Sequence, residues 1–567
     1  MKLTLRQRII LTSLFTFSLL LLFVPRFAIT GVATSAHAIS GKGLECVTGI
    51  LAGQRDCILT GDIVLTKPMV MSGMNTLDCQ LHKISASGFD TTNNESIPQV
   101  AILARAMTGV TVSNCTIEGF DFGIYAINSK GTGVQSFSRT APASLSKASG
   151  SQSAQLGGAN RFVNNIITPR FTGITLTSVD NTIVAHNTIF FPSNGGRGIV
   201  VQINSDNNTI QSNTLNGDTR VALNPLRAPG PRLPSNEVLL VSQGVPAGGA
   251  IQVSQLGGPD ATLLTAVIDG EVIQFIPTNS ITANSDFTEG NLVDGNMIKF
   301  SSSFPQATDG ISLGVPLGTI ITNNEIYQPA FGIRVGSQDG ASRTFPGQCS
   351  NDPNRWCLAN GDCVAGTCPT DLPTKTVQWF SATTTLENNK ISGPFVGGIL
   401  IAGRDTTARK NVIVGPVLPV VVGVPSPPTM VHTGIALLGK HALETALVTQ
   451  NQVMNASPAL SLQKYLLTPE PICVFGRTCV GETCLGPRIT LNDFTGYGTT
   501  SVLLDSQNNL AFDLSFKQGN YWQLPCPGFN PQTVKMVGVM GSINQVNDCH
   551  AYSQPVAGSS TLPTPCN

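Results

Sequence analysis

A three-residue motif, asparagine followed by any residue and then a large apolar one, recurs along this chain of 567 residues. Asn165 and Asn187 are 22 positions apart, as are Asn389 and Asn411. A unit of this length holds three short strands and three turns, and it cannot bury its inner face alone. Consecutive units are therefore expected to stack into a solenoid. The motif begins at Asn165, Asn187, Asn213, Asn296, Asn324, Asn389, Asn411, Asn451 and Asn492.

Stacked units bring the motif asparagines into one row. Each side-chain amide is then placed to bond to its copies in the coils above and below, as in other asparagine stacks. Cys79 and Cys115 occupy the same slot near the start of the chain. If they lie in adjacent coils, these two cysteines are close enough to pair.

A Gly-Ile pair begins an apolar stretch in most units and keeps phase with the asparagine motif. Glycine at this point predicts a tight corner that needs an unusual backbone angle. Two markers in phase over much of the chain make the solenoid prediction specific. The pairs begin at Gly123, Gly173, Gly198, Gly310, Gly332, Gly398 and Gly434.

These repeats resemble the right-handed parallel β-helix superfamily, including pectin-lyase-like and NosD-like proteins, from about residue 44 to 526. Gly519-Asn520-Tyr521-Trp522 resembles the signature that often closes such helices, although Gln523 stands where the last glycine is expected. The resemblance implies an all-β fold, a single-stranded right-handed parallel β-helix with loop insertions and a C-terminal cap. It implies no single activity, because the superfamily includes lyases, hydrolases, epimerases, binding modules and adhesins.

The start of the chain has the layout of a secretory signal peptide. Basic residues precede an uncharged apolar run over 9–24, and Ala36-His37-Ala38 supplies a cleavage pattern, so we expect cleavage after Ala38. The alternative, an uncleaved membrane anchor, is disfavoured because the run is short for a bilayer span. The expected organisation is a signal peptide at 1–38, a β-helix at 39–526 with insertions at 131–158, 219–286 and 337–380, and a disulfide-bearing cap at 527–567.

The cysteine content indicates an exported protein, and the charge balance bears on its partners. All 14 cysteines follow residue 38, which suits pairing in an oxidising extracellular or periplasmic compartment. The 33 basic and 33 acidic side chains balance and form no basic stripe, so nucleic acid is not an expected partner. After cleavage no apolar run remains for membrane insertion, and we expect a secreted monomer.

Short catalytic motifs give weak leads. Arg227, Pro229 and Arg232 match the Arg-x-Pro-x-x-Arg pattern of pectate lyases, but they lie in a proline-rich insertion without an aspartate cluster for calcium. A hydrolase needs paired carboxylates, and Thr308-Asp309-Gly310 only partly resembles one hydrolase signature. No cofactor is predicted, and calcium is expected only if the lyase interpretation holds.

A column of polar residues offers a further candidate site. It lies six or seven residues after the marker glycines, and stacked coils repeat about every 4.8 Å, so its members are expected to converge. Such a patch suits gripping a charged sugar or transferring a proton. The alternative is that these are solvated turn residues whose charges merely pair. The column comprises Asp339, Arg404, Asp405, Lys440 and His441.

Export, the fold and a long lateral surface favour a protein that binds or modifies an extracellular polysaccharide. If it is an enzyme, we expect a polysaccharide lyase or a glycoside hydrolase. The low aromatic content, 6%, counts against extensive stacking on sugars. The alternative is a structural or adhesive extracellular protein without enzymatic activity.

Overall fold

The computed structural model describes residues 56–86, 100–127, 160–221, 249–254, 265–274, 288–301, 308–336, 341–357, 367, 375–379, 382–415, 433–463, 488–496, 502–505, 511–513, 520–523, 545–547 and 552–559, with gaps of one or two residues inside some ranges. These residues belong to one compact unit, Ala38–Asn567. The predicted signal peptide lies outside the described residues. Among the residues described, no helix is long and apolar enough to cross a bilayer.

Three parallel sheets of 12 strands each run through the described chain. The first sheet comprises β1 (Asp56–Ile58), β4 (Thr76–Asp78), β7 (Thr111–Ser113), β10 (Arg161–Val163), β13 (Ile183–Ala185), β16 (Thr209–Gln211), β21 (Leu292–Asp294), β24 (Ile320–Thr322), β31 (Thr385–Glu387), β34 (Thr407–Arg409), β37 (Leu447–Thr449) and β40 (Arg488–Thr490). The second comprises β2 (Ile63–Leu65), β5 (Lys83–Ala86), β8 (Thr116–Glu118), β11 (Ile166–Thr168), β14 (Thr188–Pro192), β17 (Thr214–Asp218), β22 (Met297–Phe300), β25 (Glu325–Tyr327), β32 (Lys390–Ser392), β35 (Val412–Val414), β38 (Gln452–Met454) and β41 (Asp493–Thr495).

The third sheet has longer strands. It comprises β3 (Met69–Gly73), β6 (Val100–Met107), β9 (Phe122–Ile127), β12 (Thr172–Thr177), β15 (Arg197–Gln202), β18 (Gly249–Ser254), β23 (Asp309–Leu313), β26 (Phe331–Val335), β33 (Gly397–Ile401), β36 (Thr433–Leu438), β39 (Leu460–Gln463) and β42 (Val502–Asp505). Strands of one sheet therefore come from successive coils, which is the arrangement of a parallel β-helix and confirms the predicted fold class.

Smaller elements are attached to this solenoid. In the described part of the chain, a single helix, α1, spans Gly439–Thr445. Four two-stranded sheets pair β19 (Thr265–Ile268) with β20 (Glu271–Gln274), β27 (Ala341–Phe345) with β30 (Lys375–Trp379), β28 (Gly347–Cys349) with β29 (Asp352–Cys357), and β43 (Ala511–Asp513) with β44 (Gln545–Asn547).

The core runs along the axis of the solenoid. Side chains alternate across each strand, so the middle residue of a three-residue strand points inward. Phe162 pairs in register with Val184, and Val184 with Ile210, and all three are fully buried. Each coil therefore covers the apolar residues of its neighbours, and the predicted continuous core is confirmed.

The motif asparagines line the corner between the first and second sheets. Asn324 donates from Nδ2 to Asn389 Oδ1 at 2.9 Å and to the Val293 carbonyl at 3.0 Å. Its Oδ1 accepts from the Asn296 backbone N–H and side-chain amide at 2.9 and 3.0 Å. The preceding residue, Asn323, has a φ of 55°, which turns the chain within two residues. The predicted ladder is confirmed, and it joins side-chain amides to backbone groups as well as to each other.

Two cysteines begin this ladder and are bonded to each other. Cys79 and Cys115 form a disulfide with their Cα atoms 4.7 Å apart. The Cys115 backbone N–H also donates to Asn165 Oδ1 at 3.0 Å. The two cysteines lie in adjacent coils, which is the condition that the sequence set for their pairing, and Cys115 connects the disulfide to the first amide of the ladder.

A second, shorter ladder lies at the corner that leads into the first sheet. Asn208 donates from Nδ2 to Asn291 Oδ1 at 3.1 Å, and Asn160 donates to Thr182 Oγ1 at 3.2 Å. These residues precede first-sheet strands in several coils. The sequence motif did not predict this row, because threonine replaces asparagine at many of its positions.

The marker glycines begin the third-sheet strands, but the reason first inferred for them is wrong. None of the seven has a positive φ. Instead, a Cβ at Gly332 would lie 2.6 Å from the Gly398 carbonyl oxygen and 2.5 Å from an Ile391 methyl carbon. Glycine is required here because the next coil approaches too closely for any side chain.

The interruption predicted at 219–286 is divided by a strand of the main solenoid. β18 pairs in parallel with β15 and β23, so the chain completes a coil at this point. Ala250 stands where most other coils carry the marker glycine, which is why the Gly-Ile pattern missed this strand. The β19–β20 hairpin follows β18. The other domain limits stay predictions.

The end of the solenoid contacts residues of the predicted C-terminal cap. Trp522 is buried and stacks on Phe494, with ring centroids 4.4 Å apart. Tyr521 bridges in parallel to Asp493 and to Tyr552, continuing the second sheet. Burial raises the pKa of the Asp493 carboxyl, while its Oδ1 accepts from the Val556 backbone N–H at 2.6 Å.

We expect Asn324→Ala to lower the free energy of unfolding by about 2–4 kcal/mol, because it leaves buried backbone groups of two neighbouring coils without partners. The measurement is urea denaturation followed by circular dichroism. Asn216→Ala is the matched control, since Asn216 is half-buried on the outer face of the second sheet. It should cost less than about 1 kcal/mol. Equal losses in the two variants would contradict a structural role for the ladder.

We expect Gly332→Ala to destabilise the protein by about 1–3 kcal/mol, because the added methyl group meets backbone and core atoms that cannot move aside freely. Gly61→Ala is the control, since a Cβ at Gly61 meets no atom within 4 Å. Thermal unfolding of the two variants tests the difference. A loss for Gly61→Ala as large as that for Gly332→Ala would show that close approach is not the cause.

Candidate functional site

The third sheet differs from the other two because its outer face is buried as well as its inner one. Residues between the inward-facing positions stand one above another in successive coils, in parallel register. None is more than 8% exposed. We call this line the outer row. It comprises Tyr125, Thr175, Val200, Gln252, Ser312, Arg334, Leu400, Ala436 and Ser461.

Long connections of the chain begin or end at the third sheet. The connections from first-sheet to second-sheet strands in the same coils are short, as between β10 and β11. Those that follow β9, β18, β26 and β39, and those that precede β18 and β36, are much longer. Long insertions in a solenoid collect on the face that carries the function more often than elsewhere. The outer face of the third sheet is therefore the candidate functional surface.

The chemistry of the outer row changes along the solenoid. At one end, Phe122 meets Tyr125 and Phe171 edge to face, with ring centroids 5.5 and 5.7 Å apart. At the other end, Leu400 and Ala436 belong to a separate apolar cluster on this face. The middle of the row, from Thr175 to Arg334, is mostly polar. A buried polar stretch is not needed for an apolar core, and this stretch is therefore the candidate site.

A buried ion pair marks one end of the polar stretch. Arg334 Nε lies 2.8 Å from Asp309 Oδ2, and Arg334 Nη2 donates to Asp309 Oδ1 at 3.2 Å. The guanidinium carbon lies 4.5 Å from the centre of the Phe331 ring, and the Phe331 backbone N–H donates to Asp309 at 3.2 Å. Both charged side chains are almost fully buried. The pair is held in one geometry, because the Phe331 ring and the Asp309 carboxylate fix the guanidinium, and the Phe331 backbone N–H fixes the carboxylate.

A hydroxyl and amide network marks the other end. Tyr125 OH lies 3.3 Å from Thr177 Oγ1, which also accepts from Gln202 Nε2 at 3.1 Å. Burial raises the pKa of the Tyr125 phenol, so this hydroxyl stays protonated at physiological pH. The network therefore presents neutral hydrogen-bonding groups beside the aromatic cluster.

Along this stretch, several buried polar atoms have no hydrogen-bond partner in the part of the chain that the structure describes. They are both side-chain amide atoms of Gln252, Oγ of Ser312, Oε1 of Gln202 and Oγ1 of Thr175. Buried polar groups are nearly always paired, so an unpaired group needs an explanation such as an ordered water or a ligand. Gln252 and Ser312 are register partners in adjacent coils, which concentrates this capacity in one place.

The predicted charged column is only partly described. Arg404 lies at the entry to β34 and bridges to Ala382, and Asp405 is exposed. The Asp405 backbone N–H donates to Thr445 Oγ1 at 2.7 Å, at the end of α1. Lys440 and His441 lie in α1. Their side chains, like all of Asp339, fall outside the described residues, so convergence of the column stays a prediction.

The predicted lyase residues Arg227 and Arg232 also lie outside the described residues. Asp309, which drew attention only as part of a weak hydrolase signature, lies in the third sheet and pairs with Arg334. The outer row itself was missed. Seven of its nine residues immediately follow the isoleucine of a Gly-Ile marker, so the marker contains the signal, whereas the predicted charged column lies six and seven residues after the glycine.

A family model described as "Periplasmic copper-binding protein (NosD)" matches residues 60–224, less than a third of the chain. No curated protein sequence matches the chain. With its three parallel sheets, the chain is a right-handed parallel β-helix protein, as the repeats predicted.

Solved β-helix structures resemble the chain at low identity. The periplasmic alginate epimerase AlgG is 10% identical, with a TM-score of 0.31, and the match covers 87% of this chain and 76% of that one. The DFA-IIIase from Arthrobacter chlorophenolicus A6 is 11% identical, with a TM-score of 0.31 and coverage of 81% and 85%. A catalytic domain of GH87 α-1,3-glucanase is 13% identical, with a TM-score of 0.24 and coverage of 79% and 58%. These likenesses concern the fold alone.

The described residues do not fit a copper site. Among them, no group of three or more His, Cys, Asp or Glu side chains is placed to hold a metal ion. His82 Nδ1 lies 3.6 Å from Asp62 Oδ1, and His186 is an exposed corner residue in a different coil. Cys79 and Cys115, which lie in the matched range, are consumed by their disulfide.

We expect Asp309→Leu or Arg334→Met alone to lower the free energy of unfolding by about 3–5 kcal/mol, because each leaves an uncompensated buried charge. The double variant should recover most of that loss, since an apolar pair of similar volume removes both charges. Chemical denaturation of the four proteins in a double-mutant cycle measures the coupling. Additive losses would mean that the two side chains do not depend on each other.

Proposed function

We propose that the protein binds an extracellular polysaccharide along the outer face of the third sheet. The observation that carries this proposal is the polar middle of the outer row, which runs from Thr175 to Arg334 between two apolar clusters. Sugars offer hydroxyl groups to amides, hydroxyls and carboxylates, and they offer apolar ring faces to aromatic side chains. The outer row provides both kinds of group on one rigid surface.

The repeat of the solenoid suits a linear polymer. Successive coils are about 4.8 Å apart, so equivalent side chains recur along the axis at a spacing close to one sugar unit of an extended chain. The face is buried in the structure, so a bound polymer must displace the atoms that cover it. The hydrogen bonds between the polymer and the row must offset the contacts that are lost when the covering atoms move away. Side-chain groups of the row that have no partner beforehand favour this replacement.

The same proposal includes a location outside the cytoplasm. The Cys79–Cys115 disulfide suits an oxidising compartment. The predicted signal peptide at 1–38 points the same way, and the matched family is described as periplasmic. An extracellular or periplasmic location would bring the protein into contact with secreted polysaccharides.

Binding, rather than catalysis, is what the geometry supports. A glycoside hydrolase needs two carboxylates on either side of the bond that it cuts, whereas the Asp309 carboxylate is held by Arg334. If cleavage is observed, the charged column and the Arg227–Arg232 motif are the candidates that we propose for it. Loss of cleavage in Arg404→Ala or Lys440→Ala would support the column, and loss in Arg227→Ala or Arg232→Ala would support the lyase motif.

The test is affinity electrophoresis of the secreted protein in gels that contain neutral or uronic-acid polysaccharides, with reducing ends and unsaturated products assayed with and without calcium. We expect retention on at least one polymer. The Asp309→Leu/Arg334→Met double variant should bind that polymer about ten-fold more weakly, because it loses charge-assisted hydrogen bonds.

Lys390→Ala is the matched control for this binding test, since Lys390 lies half-exposed on the outer face of the second sheet. It should bind as the parent protein does. Retention on no polymer would overturn the carbohydrate proposal and leave the alternative, a structural or adhesive protein. Ile58, Val64 and Leu81, each more than half exposed, would then be the first contact residues to examine.

A further inference from the structure

The centre of the outer row has hydrogen-bonding groups that pair with none of the described residues. Gln252 is fully buried, and neither its Nε2 nor its Oε1 has a hydrogen-bond partner among the described residues. Ser312, its register partner in the next coil, is also fully buried with a free Oγ. In the preceding coil, Gln202 uses its Nε2 on Thr177 but has a free Oε1.

Such groups work against folding, because a buried amide that forms no hydrogen bond loses its hydration without compensation. Later coils place Leu400 and Ala436 at the same position in the row, so the fold accepts apolar side chains there. Nothing in the packing of a coil therefore requires glutamine or serine. Their presence at the centre of the row needs a reason outside the folding of the chain.

The unused groups include both donors and acceptors. Gln252 offers two N–H donors and one carbonyl acceptor, Ser312 offers a hydroxyl that does both, and Gln202 adds an acceptor. An anion would need donors alone, and a cation would need acceptors alone. A hydroxyl group both donates and accepts, so it satisfies the mixed set.

The charge at the site also favours a hydroxyl group over a charged ligand group. Arg334, the next residue of the row after Ser312, is bonded to Asp309. Because that guanidinium already holds a carboxylate, it is not poised to take the carboxylate of a uronic acid. Gln202, Gln252 and Ser312 are themselves neutral side chains.

We propose that Gln202, Gln252 and Ser312 form a subsite for the hydroxyl groups of a neutral sugar unit. This inference rests on the proposed polysaccharide-binding function and narrows it to neutral over uronic-acid sugars at this position. Gln252 and Ser312 are one coil apart, about 4.8 Å, a spacing that lets them bond to neighbouring hydroxyl groups of one ring.

The test compares the parent protein with Gln252→Leu and Ser312→Ala by isothermal titration with neutral glucan and fructan oligosaccharides and with oligogalacturonate. We expect the parent to prefer a neutral oligosaccharide. Gln252→Leu should weaken that binding by about ten-fold or more, since it removes bonds made only with the ligand. Without ligand, the same variant should melt at a higher temperature than the parent.

Gln211→Leu is the matched control, because Gln211 lies half-exposed on the outer face of the first sheet. It should change neither binding nor the melting temperature of the free protein by a comparable amount. If Gln252 belongs to a ligand site, Gln252→Leu lowers the affinity for the sugar and raises the melting temperature of the free protein. If Gln252 has a structural role, the same variant is less stable than the parent.

Two results would overturn the subsite. If Gln252→Leu lowers the melting temperature and leaves binding unchanged, these groups hold an ordered water only. If the parent binds oligogalacturonate in preference and Gln252→Leu does not affect it, the subsite is wrong while polysaccharide binding stands. Binding of no oligosaccharide or polymer would instead remove the proposed function and this subsite together.

Discussion

The stacking of each coil on the next is the interaction on which the structure depends. A single coil of about 22 residues has no interior, so its apolar side chains are buried only when a second coil covers them. The asparagine ladder fixes that stacking, since each amide reaches both the backbone and the amide of a neighbouring coil. One corner of the solenoid is thereby held in register, and the inward-facing rows follow from it.

The same stacking turns the third sheet into a place where function can be built. Register aligns one residue from each coil into a row, so a change in one coil alters one step of a long surface. Folding requires of this outer row only that its members fit, as Leu400 and Ala436 illustrate. The Arg334–Asp309 pair and the unpaired amide of Gln252 exceed that requirement, which is why the middle of the row is the candidate site.

Close approach between coils explains two features that the sequence pattern described without a cause. Marker glycines are needed where the next coil's carbonyl oxygen occupies the space of a Cβ, not where the backbone has an unusual angle. Ala101, Ala250 and Ala459 take this position in three coils, where the constraint is relaxed, and at Ala250 the pattern lost a strand of the solenoid. A repeat pattern predicts stacking well, but it does not report the distance between the stacked backbones.

The sequence by itself determined the parallel β-helix and the asparagine ladder, because these depend on spacing along the chain. It placed Cys79 and Cys115 in equivalent slots, and the stacked coils then showed that the two are bonded. Only the tertiary structure decided which surface is the candidate site. Asp309 and Arg334 are 25 positions apart, and Gln252 and Ser312 are 60 apart, so their neighbourhood appears only when the coils are stacked. Whether a polar side chain on a strand faces water or a buried face depends on what covers the sheet, and residue spacing along the chain does not contain that information.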